Sequence, residues 1–304
     1  MVSVAGLAVH DTAQNRNILL RVDFPSGAPQ PLPVVVFAPA GGTITGANPN
    51  GHEQNQPWGR TLASAGFAVI VLNAADIAPG TYCGEFQIPP AECEGTDFNQ
   101  EVADGGTLPA GFIARARDAS ALLNQLGLIA NQIGVALDPS RVAMAGYSAG
   151  AHTVMVLAGA RVDLSPTVRG VSLADPRFVA YLAVSPQGVG RFGFNPSSWE
   201  GLTRPVMTET GSNDYAANQT PITRQQPYAY MPPGDKYQAF FSSSDATHYG
   251  FSLGDVSSML PVFIGRSAVA FLDAYVRSLP AARIWLTTNQ LAIWSDGVGQ
   301  MSAK

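Results

Sequence analysis

Three stretches constrain the architecture most: LPVVVFAPAGG at 32–42, FAVIVLNAA at 67–75 and RVAMAGYSAG at 141–150. Each is a short run of β-branched or small apolar residues with little polar interruption. A strand with one face in water alternates apolar and polar side chains, so an unbroken run needs cover on both faces, as in a parallel sheet between layers of helix. RTLASAG at 60–66, ARARDASALLNQLGLIANQ at 114–132 and AHTVMVLAGARV at 151–162 separate or follow these runs with helical character. Further strands are expected in RFVAYLAVSPQG (177–188), RPVMTETGSND (204–214) and KYQAFF (236–241), and SAVAFLDAYVRSL (267–279) is expected as a closing amphipathic helix. Residues 3–9 and 17–24, joined by a polar turn, predict an antiparallel edge hairpin. Strands alternating with helices give an α/β fold with a mostly parallel central sheet and helices on both faces. No internal repeat or linker divides the 304 residues, so one domain, 1–304, is expected.

Residues 77–110 break the alternation with a loop-rich segment. From Thr61 to Ala114 there are seven Asp or Glu and no Lys or Arg, so the segment reads first as a solvated acidic loop and second as a rim that disfavours anionic substrates. The net charge of −5 and the lack of a Lys/Arg cluster exclude a nucleic-acid partner. The longest apolar runs are too short to span a bilayer. The opening MVSVAGLAVHDTAQNR shows no basic region followed by an apolar core, so no secretory leader is expected in it. Cys83 and Cys93 are the only cysteines. If they pair, a secreted or periplasmic setting is favoured; if they stay reduced, a cytoplasmic one.

The stretch MAGYSAGAH (144–152) holds Gly-x-Ser-x-Gly between a strand and a helix, the setting of a nucleophile elbow. A serine hydroxyl is a poor nucleophile at neutral pH and needs a base to take its proton, most often histidine. Of the four histidines, His10 and His52 precede Ser148, against the order serine, acid, histidine that accompanies such an elbow. His152 lies on the elbow helix itself and is assigned a packing or hydrogen-bonding role. His248, in the loop after the last expected parallel strand, is the candidate base. Asp214, at the carboxyl end of a strand between Ser148 and His248, is the candidate acid. Asp175 competes, but it precedes its strand, and Asp245 sits only three residues from His248. Backbone N–H groups for an oxyanion are expected from Ala149 and from the turn after 32–38, at Gly41 or else Ala40. No metal or organic cofactor is required.

With these residues in view, the chain resembles the α/β-hydrolase superfamily, and within it the dienelactone-hydrolase-like and platelet-activating-factor-acetylhydrolase-like branch, related to chlorophyllases and cutinase-type polyesterases. VHDTAQNRNILLRVDFP is similar to that branch's opening hairpin, PVVVFAPAGG to its oxyanion strand, LDPSRVAMAGYSAGAHT to its elbow and DATHYGFS to its histidine block. The resemblance implies an α/β-hydrolase fold and a serine carboxylesterase acting on small to medium neutral esters. Pro39-Ala40 stands where the branch commonly has His-Gly. Tyr147 and Ala149 replace the His and Met usual in polyesterases, and Ser148 replaces the Cys of a dienelactone hydrolase. Two other readings accompany the first. One is a polyester or lipid-ester hydrolase with exposed Trp58, Trp199 or Tyr215 stacking on a polymer. The other is a binding protein that keeps the fold without catalysis.

Overall fold

The structure is a computed structural model that describes residues 1–41, 48–74, 77–78, 80–93, 107–255 and 257–304. The chain enters as the hairpin β1 (Val2–Asp11) and β2 (Arg16–Phe24), then β3 (Leu32–Ala38), α1 (Gly51–Gln54), α2 (Gln56–Ser64), β4 (Ala68–Leu72) and α3 (Pro90–Cys93). It continues through α4 (Ala110–Leu123), α5 (Leu126–Ile133), β5 (Leu137–Tyr147), α6 (Ala149–Ala158), β6 (Ala180–Val184), β7 (Val206–Gly211) and α7 (Pro221–Tyr230). The last elements are β8 (Lys236–Phe241), α8 (Leu260–Tyr275), α9 (Pro280–Leu286), α10 (Gln290–Trp294) and β9 (Gly299–Ala303).

Among the described residues nine strands form one sheet in the order β1-β2-β4-β3-β5-β6-β7-β8-β9. The run from β4 to β8 is parallel throughout, while β1, β2 and β9 are antiparallel additions at the two edges. The fold is therefore α/β with a mostly parallel sheet and an antiparallel hairpin at its start. The unbroken apolar runs have the cause inferred from them. Val34 and Val36 of β3 point into one core with residues of α4 and α6, whereas Val35 and Phe37 point into a second core with residues of α2 and α8. Helices cover both faces, and α6 is buried along its whole length.

One expectation needs correction, and two elements carry no expectation from the sequence. SAVAFLDAY lies in α8, which ends at Tyr275 before VRSL, and it does not close the fold, because α9, α10 and β9 follow it. GQMSA has little apolar pattern of its own and becomes a strand by pairing with the free edge of β8, Gly299 opposite Phe241 and Ala303 opposite Tyr237. The helix α7 was also not expected, since TPITRQQPYAY carries an internal proline and few apolar residues. It starts on a capping box in which the Thr220 hydroxyl accepts the Thr223 N–H and the Thr223 hydroxyl accepts the Thr220 N–H, with Thr in place of the Glu or Gln that marks such a box in sequence.

Residues 79 and 94–106 of the acidic segment lie outside the described residues. The described part is tied to the body. Tyr82 and Ile88 are buried, Arg117 of α4 pairs with Glu85 and lies over the Tyr82 ring, and the Glu92 carboxylate accepts the hydroxyls of Ser165 and Thr167 at 2.5 and 2.7 Å. Cys83 and Cys93 are joined as a disulfide, with their Cα atoms 6.0 Å apart. Among the described residues no helix is long and apolar enough to cross a membrane.

Candidate active site

Because β5, β6, β7 and β8 are parallel, their carboxyl ends share one edge, and chain segments leaving them meet there. Ser148 follows β5, Ser185 follows β6, Asp214 lies three residues beyond β7, and His248 lies in the loop after β8.

Ser148 has φ 56° and ψ −118°, a region where a non-glycine residue is strained. Its neighbours have to be small. A Cβ on Gly146 would lie 2.5 Å from the Gly150 carbonyl oxygen, and one on Gly150 would lie 2.0 Å from the Ala38 carbonyl oxygen. The turn is therefore pressed against the end of β3, so its glycines serve tight packing and the presentation of Ser148 together.

The Ser148 Oγ is 3.0 Å from His248 Nε2, and His248 Nδ1 is 3.0 Å from Asp214 Oδ1. The structure thus brings together the three residues singled out in the sequence, from three separate strand ends. Asp214 and His248 are both buried. The Asp214 carboxylate also accepts the Thr210 hydroxyl at 2.9 Å and the Ser185 hydroxyl at 2.8 Å, and Arg224 Nε stands 2.9 Å from Oδ1. Arg224, on α7, further donates to the main-chain carbonyls of Ser185, Pro186 and Ala216 at 2.9 to 3.1 Å, stitching the segments after β6 and β7 together. Burial lowers the affinity of its guanidinium for a proton, and the facing Asp214 charge opposes that. Tyr147 donates its hydroxyl to the His248 carbonyl at 2.7 Å, so the residue before Ser148 holds the main chain of His248. Burial raises the Tyr147 phenol well above its ordinary value, which keeps it a donor.

The alternatives are engaged elsewhere. Asp175 is bound by Arg177, Nη2 to Oδ2 2.5 Å; burial opposes its ionisation, but the Arg177 hydrogen bonds prevail and lower its carboxyl below the ordinary value. Asp245 accepts the Ser258 hydroxyl at 2.7 Å. His10 meets Asn17, and His52 meets Asn73. His152 is buried against Phe112, Phe192 and Phe194, with Nε2 3.0 Å from the Phe192 carbonyl. Burial pulls its imidazole down to about 3, so it stays neutral and donates that hydrogen bond.

Ala149 opens α6, so its N–H has no acceptor within the helix and faces outward at the positive end of the helix dipole. Gly41 lies against it, since a Cβ on Gly41 would be 3.2 Å from the Ala149 Cβ. The carbonyls before Gly41 are drawn the other way: Arg115 donates to Pro39 and Ala40 at 2.6 and 3.1 Å, and Asn48 donates to Ala40 at 3.0 Å. The N–H groups of Ala40 and Gly41 make no hydrogen bond to a described residue.

Two of the three aromatics that the polyester reading would need at the surface are packed inside instead. Trp58 and Trp199 are fully buried, Trp58 donating to the Phe251 carbonyl at 2.9 Å, whereas Tyr215 is 62% exposed. Tyr249, directly after His248, is 80% exposed and was not singled out. Sequence reasoning also missed Ser185, Thr210 and Arg224; for Ser185 the available signal was a small polar residue at the end of an expected parallel strand. No protein-family model matches the chain, and no curated protein matches it.

Proposed function

We propose that the chain is a serine carboxylesterase built on an α/β-hydrolase fold. The observation that carries this reading is the hydrogen-bonded series Ser148, His248, Asp214, with Ser148 on a strained turn at the start of a buried helix. His248 Nε2 removes the Ser148 proton as Oγ attacks an ester carbonyl, and Asp214 orients the imidazole and stabilises its charged form. The tetrahedral oxyanion sits beside the N–H of Ala149 and that of Gly41 or Ala40. Collapse breaks the ester C–O bond, the alcohol leaves with the proton from His248, and water then hydrolyses the acyl-enzyme by the same steps in reverse order.

The acidic segment favours neutral esters of small to medium size. Tyr215 and Tyr249, next to the acid and the base and both exposed, support a second reading in which a polyester or other extended ester lies across these rings. The Cys83–Cys93 disulfide favours an oxidising compartment. Labelling with a fluorophosphonate probe, run beside Ser148→Ala, tests the reading: the wild type reacts and the variant does not. A wild type that stays unlabelled refutes it. Rates on p-nitrophenyl esters of rising acyl length, and release of soluble products from an insoluble polyester, then separate the two substrate classes.

A further inference from the structure

We propose that Ser185 is a positioning residue for the base, its hydroxyl oxygen sharing with Asp214 the Nδ1–H of His248 and so fixing the tautomer that leaves Nε2 free to take the Ser148 proton. The inference rests on the esterase reading for its chemistry. It rests on the geometry for everything else.

Ser185 Oγ is 2.8 Å from Asp214 Oδ1 and 2.8 Å from His248 Nδ1, and the third side of this triangle, Nδ1 to Oδ1, is 3.0 Å. The protons can be distributed in one consistent way. A carboxylate only accepts and a hydroxyl has one proton, so Ser185 donates to Asp214 and its oxygen lone pairs face Nδ1. Nδ1 must then carry the hydrogen. Asp214 Oδ1 accepts the Ser185 hydroxyl and has the Arg224 guanidinium charge beside it, Nε standing 2.9 Å away. The Arg224 Nε–H itself is donated to the Asp214 main-chain carbonyl at 2.9 Å, so the proton on Oδ1 comes from Ser185, and Nδ1–H has its shorter contact, 2.8 against 3.0 Å, at the Ser185 oxygen. In the opposite tautomer the bare Nδ1 lone pair would face the carboxylate, Ser185 could relieve it only by leaving Asp214, and Nε2–H would face Ser148 as a donor, which abolishes a base.

The backbone supports the same assignment. Ser185 is fully buried and has φ 53°, a strained value for a residue with a Cβ. It is held there by its own N–H, which donates to the Glu209 carbonyl at 2.7 Å, and by its carbonyl, which accepts Arg224 Nη1 at 2.9 Å. A strained, buried serine clamped from both sides directs one hydroxyl into the gap between acid and base.

Two readouts test this together: steady-state turnover of p-nitrophenyl acetate, and the 15N shifts of the His248 ring in histidine-labelled protein, assigned with His248→Gln. Loss of one shared hydrogen bond predicts a fall in kcat of about tenfold with KM changed less than about twofold. The 15N shifts of Ser185→Ala are expected to move from the pure Nδ1–H tautomer toward a mixture. Ser185→Gly accepts the positive φ without strain and reports the same loss of hydroxyl if the alanine variant folds poorly. An unchanged kcat in both variants overturns the proposal, and so does a fallen kcat with an unchanged ring tautomer. The tautomer measurement stands without any turnover, so a wild type that hydrolyses nothing counts against the esterase reading alone.

Discussion

Glu209 is a carboxyl group that the fold pays to keep neutral. It sits fully buried on β7, with Oε1 accepting the Ser267 hydroxyl at 2.5 Å and Oε2 lacking a hydrogen-bond partner among the described residues. Burial pushes the group from 4.5 up to about 8, and the Ser267 hydrogen bond offsets only part of that. Below 4.5 the carboxyl is protonated in both the folded and unfolded chain, and the fold keeps its full stability. Above 4.5 the unfolded chain releases a proton that the folded chain retains, so stability falls as pH rises, until the folded group also ionises near 8. At about 1.4 kcal/mol per pH unit the cost is about 3 kcal/mol at pH 7 and levels off at about 5 kcal/mol above the folded value. That is a large share of the roughly 5–15 kcal/mol that stabilises an ordinary protein. Glu209→Gln keeps the shape and the acceptor for Ser267 but has no proton to release. Urea unfolding of the two proteins measures the difference. The midpoints are expected to nearly coincide at about pH 4.5 and to separate in favour of the variant toward about pH 8. Parallel stability curves across that window would refute the assignment of a buried, protonated Glu209.

Two further perturbations probe the elbow and the acidic segment. Gly150→Ala places a Cβ 2.0 Å from the Ala38 carbonyl oxygen; relieving the overlap takes a displacement of roughly 1 Å between β3 and the elbow, which is expected to cut the rate of fluorophosphonate labelling by about 100-fold, and a wild-type labelling rate would contradict the close approach. Cys83→Ser opens a disulfide spanning 10 residues; loop-closure entropy puts the loss of stability at about 2–3 kcal/mol, read as a lower urea midpoint that the wild type reproduces under reducing agent, with the labelling rate of Ser148 unchanged.

The features legible in the sequence are those encoded by a few consecutive residues. Apolar runs without alternation predict strands covered on both faces, and Val34 to Phe37 divide their side chains between two cores for that reason. The glycines around Ser148 predict a turn too tight for a Cβ, and the overlaps at Gly146 and Gly150 are its physical content. Ser148, Asp214 and His248 follow the parallel strands β5, β7 and β8, which brings them to one edge. Other features have no local signature. Trp58 and Trp199 look the same in sequence whether buried or exposed, and only the packing of α2 and of the segment after β6 hides them. GQMSA becomes a strand because β8 offers an unpaired edge.

The sequence by itself determined the alternation of strands and helices, the tight turn at Ser148 and the chain order of Ser148, Asp214 and His248, because each follows from side-chain size and spacing within a short stretch. Tertiary structure alone decided what surrounds Asp214: Thr210 from β7, Ser185 from the end of β6 and Arg224 from α7 converge on its carboxylate. Serine, threonine and arginine are common and form hydrogen bonds with many partners, so their chemistry at this position exists only once three separate segments are brought within about 3 Å of one carboxylate.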